Sequence, residues 1–111
     1  MSDVNARIKE IIDTDDVVVF MKGNALFPRC GFSGTTVDVM DRLGVKFKDI
    51  DVLLDGDIRE GIKAFSDWPT IPQVYVKGEF LGGCDIMKEM FMSGELADYL
   101  KEKGVAFTPS N

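Results

Sequence analysis

The sequence predicts an α/β domain: a four-stranded mixed sheet flanked by helices on both faces. Three observations lead there. The run Val17-Val18-Val19-Phe20-Met21 is apolar on both faces, as a central strand covered by helices should be. Strand, helix and strand then follow within about 35 residues, the pattern of a βαβ unit with a parallel pair. Taken whole, the order reads α-β-α-β-α-β-β-α-α, which joins that half through a helix to a ββα half.

Each element has its own signal. Ser2 can cap a first helix carrying Val4, Ile8, Ile11 and Ile12, and Asp13-Thr14-Asp15-Asp16 breaks it. The first strand covers about residues 16–22. Residues 23–29 form a loop in which Pro28 prevents early helix growth. A helix follows from about Gly31 to Leu43, with Val37, Met40 and Leu43 on one face and Gly44 as its stop. Residues 46–51 alternate polar and apolar, which fits a second strand. In residues 55–65, Ile58, Ile62 and Phe65 share one helical face while Arg59 and Lys63 share another. Residues 66–72 read as a shaped loop around Trp68, Pro69 and Pro72. Residues 73–76 and 79–81 form a hairpin across Lys77-Gly78. Gly82-Gly83-Cys84-Asp85 opens a helix to about Met92. A last helix, 95–103, stops at Gly104, and residues 105–111 read as a flexible tail.

The 111 residues suit one domain, 1–111, with its core at about 3–104. An apolar fraction of 45% is enough to fold without staples, and the net charge is −6. An acidic chain is a poor binder of nucleic acid, whose affinity rests on neutralising phosphates. No apolar run approaches the roughly 20 residues that span a bilayer. Met1-Ser2-Asp3-Val4-Asn5 has neither a signal-peptide core nor an Arg-rich transit pattern, so a cytoplasmic location is expected. In that reducing compartment two cysteines do not read as a structural disulfide. Histidine is absent, which excludes Cys–His pairs and His-containing metal sites. Two cysteines cannot close a four-cysteine site either, so a metal bound through sulfur needs ligands from outside the chain.

The chemistry points to Cys30-Gly31-Phe32-Ser33. Cys30 stands where the second helix begins, facing unpaired N–H donors and the positive end of the helix dipole. Both favour thiolate over thiol, and Arg29 and Lys22 add positive charge. A reactive or metal-binding thiolate is one reading; a buried, inert cysteine packed as a small hydrophobe is the other. Ser33 takes the place of a resolving cysteine. A serine hydroxyl cannot attack a mixed disulfide at neutral pH, so an outside thiol must finish any redox cycle. A cysteine motif beside a βαβ unit points to a thioredoxin-like fold.

Four motifs in register then carry a family resemblance: Lys22-Gly23, Pro28-Arg29-Cys30-Gly31-Phe32-Ser33, Trp68-Pro69-Thr70-Ile71-Pro72-Gln73 and Gly82-Gly83-Cys84-Asp85. Together they resemble a single-domain, bacterial-like monothiol glutaredoxin of the C-G-F-S type over about residues 3–104. The resemblance implies glutathione binding. Lys22 and Arg59 resemble the contacts to its glycine carboxylate, and a guanidinium can grip such a group bidentately. Pro72 resembles a cis-proline that aims the Ile71 main chain at the bound cysteine. The N–H groups of Cys84 and Asp85 would take the γ-glutamyl carboxylate and the Asp85 side chain the ammonium. Plainer readings stand beside these. Lys22 can be a strand-end charge, Arg59 a solvated helix residue and Asp85 a helix cap, while Trp68 reads as structural.

Three functions compete. The first implied by the resemblance is an iron–sulfur carrier. Cys30 of two chains and two glutathione thiols would hold a labile [2Fe–2S] cluster in a homodimer and pass it to apo iron–sulfur clients. The second is a glutathione-dependent oxidoreductase with Cys30 as nucleophile, and a weak one. Cys30 follows Lys22 by eight positions, where efficient dithiol glutaredoxins resemble K-x-x-C. The third is a regulatory module docking a BolA-like partner.

Overall fold

A computed structural model describes residues 3–109. In chain order the elements are α1 (Val4–Thr14), β1 (Val17–Met21), α2 (Gly31–Leu43), β2 (Lys48–Asp51), a 3-10 turn at Val52–Leu54, α3 (Gly56–Ser66), β3 (Gln73–Val76), β4 (Glu79–Gly82), α4 (Cys84–Ser93) and α5 (Glu95–Glu102). The sheet order is β2-β1-β3-β4. β1 pairs parallel with β2 and antiparallel with β3, and β4 completes the hairpin. This is the thioredoxin-like mixed sheet that the element order predicts.

The alternation of β1 divides the core in two. Val17, Val19 and Met21 pack with Val37, Met40 and Leu43 of α2, Met87 of α4, and Leu96 and Leu100 of α5. Val18 and Phe20 point the other way, against Ile8 and Ile12 of α1 and Ile58 and Ile62 of α3. All five β1 residues are fully buried. Burying one such aliphatic side chain contributes roughly 1.5–3 kcal/mol, so the strand with two covered faces is the centre of the fold.

The caps decide where α1 and α3 begin. Ser2 lies outside the described residues; Asp3 caps α1, its carboxylate accepting from the Asn5 and Ala6 N–H groups at 3.0 and 3.3 Å. The acidic run after Ile12 does not stop α1 at once, because the helix continues through Thr14, whose hydroxyl donates back to the Ile11 carbonyl at 2.7 Å. Asp55 caps α3 through the Asp57 and Ile58 N–H groups and also pairs with Arg7 of α1. The second strand begins two residues later than expected, at Lys48.

The chain after Gly104 corrects the expected flexible tail as far as Thr108. Val105 is buried, Phe107 bridges to Val45, and the Thr108 N–H donates to the Gly44 carbonyl at 3.1 Å. Val105 and Phe107 have apolar surface to lose and find it against the β1–α2 layer. Residues 110 and 111 lie outside the described residues.

Candidate functional site

Cys30 is the N-cap residue of α2, in extended backbone at φ −150° and ψ 140°, and is part-exposed. As a thiol it closes no capping hydrogen bond. As a thiolate it is favoured first by the Ser33 N–H, then by the Phe32 N–H and the nearby Lys22 charge. These outweigh desolvation and hold its pKa below the ordinary thiol value. The buried-cysteine reading therefore does not fit: Cys30 is part-exposed and its charged form is favoured.

The segment before Cys30 is braced from four sides. Gly23 and Pro28 form a bridge, and the Arg29 N–H donates to the Lys22 carbonyl at 2.9 Å. The Asn24 Oδ1 accepts from the Leu26 and Phe27 N–H groups at 3.0 and 2.9 Å. Asp51 accepts from the Gly23 N–H at 3.0 Å, and Asp49 from the Ala25 N–H at 2.7 Å. Ser33, fully buried, accepts from the Lys22 N–H at 3.1 Å. The hydroxyl thus joins the end of β1 to the first turn of α2, and it has a structural duty besides lacking a thiol. Asp49 and Asp51 read as the polar half of a strand pattern; their bonds to the loop need the fold before they can be seen.

A cavity of about 280 Å³ opens beside α2, between the loop carrying Ile71 and Pro72 and the start of α4. Phe32, Trp68, Ile71, Cys84 and Asp85 help line it, and the Ile71–Pro72 peptide bond is cis. A second space of about 340 Å³ has Cys30, Phe32, Cys84, Asp85 and Lys88 on its walls, so Cys30 and the α4 N-terminus share one depression. Gly83 is the N-cap of α4 and makes no side-chain cap, leaving the first N–H groups of the helix without that partner. Asp85 lies in the first turn of α4 and is exposed, so it is not the cap. Cys84 is buried, with 9% of its surface exposed.

Lys22 and Arg59 line neither space, although the Lys22 charge reaches Cys30. Arg59 on α3 is part-buried, and its Nε is buried without a hydrogen-bond partner, unlike Lys63, which pairs with Glu60 at 3.3 Å. Phe32 and Trp68, 64% and 36% exposed, are the aromatic wall residues that sequence reasoning did not assign to the site. An aromatic residue in a loop flanked by Pro69 was the available signal for Trp68. Among the described residues no group of three or more His, Cys, Asp or Glu side chains could hold a metal ion. The arrangement offers one accessible thiolate, fit for nucleophilic attack or soft-metal ligation, beside a groove that ends at helix-terminal donors.

The glutaredoxin family profile matches residues 17–81. A monothiol glutaredoxin of Synechocystis sp. is 52% identical over 99 residues, covering 89% of this chain and 92% of that protein. The solution structure of a monomeric truncated mutant of Trypanosoma brucei 1-C-Grx1 superimposes with a TM-score of 0.86 at 38% identity, over 99% of this chain and 100% of that one. The crystal structure of a buckwheat glutaredoxin–glutathione complex gives a TM-score of 0.79 at 25% identity, over 92% and 91% of the two chains. With one cysteine at the start of α2 and a serine three residues on, this chain belongs to the glutaredoxin family, in its monothiol group.

Proposed function

We propose that the chain, as one glutaredoxin domain, binds glutathione and carries a [2Fe–2S] cluster shared between two copies. One observation carries the reading: a single accessible thiolate, Cys30, opens on a groove that ends at the N-terminus of α4. A [2Fe–2S] cluster takes four ligands, commonly thiolates. Among the described residues this chain has no multi-residue metal site of its own. Cys30 from each of two chains and the thiols of two glutathiones complete the set. The cluster is then cargo, held by ligands half of which exchange freely, which suits delivery to apo clients.

The roles of the remaining residues follow from charge and position. Lys22 and Arg59 take the glycine carboxylate; a buried guanidinium nitrogen without a partner is stabilised by an anion. The Ile71 main chain pairs with the cysteinyl backbone. The Cys84 and Asp85 N–H groups hold the γ-glutamyl carboxylate at the helix terminus, and the Asp85 carboxylate takes the ammonium. The buckwheat protein, solved with glutathione, supports the ligand assignment.

Anaerobic reconstitution with iron, sulfide and glutathione tests the proposal. The wild type should take on the visible absorption of a [2Fe–2S] cluster, Cys30→Ser should bind neither iron nor sulfide, and Cys84→Ser should keep most of both. Full loading of Cys30→Ser would remove the ligand assignment.

A second reading is favoured by the depressed pKa of Cys30. The thiolate attacks the glutathione sulfur of a mixed disulfide and releases the client as its thiolate. A second glutathione thiolate then attacks the Cys30–glutathione disulfide, giving oxidised glutathione and free Cys30. Without a resolving thiol and with the longer Lys22–Cys30 loop, turnover should fall below that of a dithiol glutaredoxin in a side-by-side coupled assay.

A further inference from the structure

We propose that Trp68 is a ligand-contacting residue, its indole walling the γ-glutamyl end of the groove and setting a preference for γ-glutamyl thiols. This rests on the glutathione reading above and adds a residue and a specificity to it.

The main chain at Trp68 is anchored by three hydrogen bonds. Its main-chain N–H donates to the Lys63 carbonyl at 3.1 Å and to the Ser66 hydroxyl at 3.2 Å. Its carbonyl accepts from the side-chain amide of the fully buried Gln73 at 3.1 Å. The ring leans on Phe80, with centroids 5.9 Å apart and planes inclined at 51°. With its main chain held and its ring against Phe80, the residue is still 36% exposed, and it lines the 280 Å³ cavity together with Ile71, Pro72, Cys84 and Asp85.

Its position along the groove follows from Gly83. A Cβ at Gly83 would lie 3.3 Å from the indole Nε1 and 3.2 Å from the Pro72 carbonyl oxygen. The indole edge therefore lies against the turn that opens α4, next to the Cys84 and Asp85 N–H groups. That is the end assigned to the γ-glutamyl arm. The indole Nε1 at this edge can donate to a ligand, and the face gives apolar area to the glutamyl methylenes. Cysteinylglycine, which lacks that arm, has nothing to place there.

The chain has one tryptophan, so its fluorescence reports this residue alone. Reduced wild-type protein should show a saturable change in emission with glutathione, at the affinity found independently by calorimetry. Trp68→Ala should weaken glutathione and γ-glutamylcysteine by about tenfold and leave cysteinylglycine unchanged. Trp68→Phe, which keeps an aromatic wall without the N–H, should fall between. Equal losses for glutathione and cysteinylglycine, or calorimetric binding with no change in emission, would overturn the role of Trp68 while leaving glutathione binding in place. Calorimetry that finds no glutathione binding would overturn both, and that result is distinct from the first two. If Trp68→Ala does not fold, the comparison of the three thiols on wild type and Trp68→Phe decides the same question.

Discussion

At the scale of single residues the site turns on one sulfur and its surroundings. The Ser33 N–H, the Phe32 N–H and the Lys22 charge all favour the Cys30 thiolate. Alkylation tracks thiolate, so its rate should hold up below the ordinary thiol value of about 8.5 and fall only as pH drops through the lowered pKa. Mass spectrometry after timed iodoacetamide exposure should find Cys30 modified first and buried Cys84 lagging. Modification of Cys84 first would contradict the placement of both. Much of this was readable in advance: a cysteine at a helix start meets the same amides in any fold. The partners of Ser33, Asp49 and Asp51 were not readable, because their bonds reach across 11, 24 and 28 positions in the chain. Trp68 reads as structural from sequence for a related reason. A tryptophan beside Pro69 looks alike from sequence whether its ring faces a core or a groove; here it leans on Phe80 and also lines the cavity.

Among the elements, type was legible and ends were not. Period two or period 3.6 comes from one segment's own apolar pattern, but where an element stops depends on what meets it. β2 starts at Lys48 because that residue is the first to register with Val18 of β1. The junction of α1 and α3 shows the same dependence. Asp55 caps α3 and receives Arg7 from α1, and the Arg7 bond, followed by the Ile58 N–H, holds its carboxyl below the usual carboxylate range. A depressed carboxylate pKa contributes stability above the unfolded value of about 3.9 and loses it as pH falls through the folded value. Asp55→Asn should therefore melt at a lower temperature than wild type at pH 7, and the difference should shrink below pH 4. A gap that persists unchanged into acid would assign the effect to packing. The close of α2 makes a sharper case. Gly44 has φ +74°, and a Cβ there would sit 1.7 Å from the Thr108 carbonyl oxygen. Gly44→Ala should cost more than about 1 kcal/mol in chemical denaturation, from backbone strain at positive φ and displacement of the docked 105–108 segment. Truncation after Gly104 should remove part of that penalty, since the clash then has no partner.

For the molecule as a whole, the question is what brings two copies together. Each carries a net charge of −6, so unliganded chains repel at low ionic strength. The exposed large apolar side chains Leu26, Phe27, Phe32, Leu53, Leu54, Trp68 and Met92 come from the loop before Cys30, the first turn of α2, the 3-10 turn, the loop before β3 and the end of α4, so no single helix presents an apolar stripe for a partner. Among the described residues no helix is long and apolar enough to cross a membrane, so a bilayer-spanning helix does not account for association. Apo protein should accordingly elute as a monomer. On the proposed reading a cluster would change this, because one Cys30 per chain leaves four coordination positions two short even in a dimer, and glutathione thiols would supply the remainder. Removing glutathione should then release the cluster and dissociate the dimer in one step. Arg59→Glu should produce the same outcome with glutathione present: it sets a carboxylate against the ligand's own, a loss of about 1–3 kcal/mol for a charged hydrogen bond. Size-exclusion chromatography with absorbance detection, run with and without glutathione on both proteins, follows colour and mass together. A stable coloured monomer, or a coloured dimer with no glutathione in it, would show that the cluster is held by some other set of ligands.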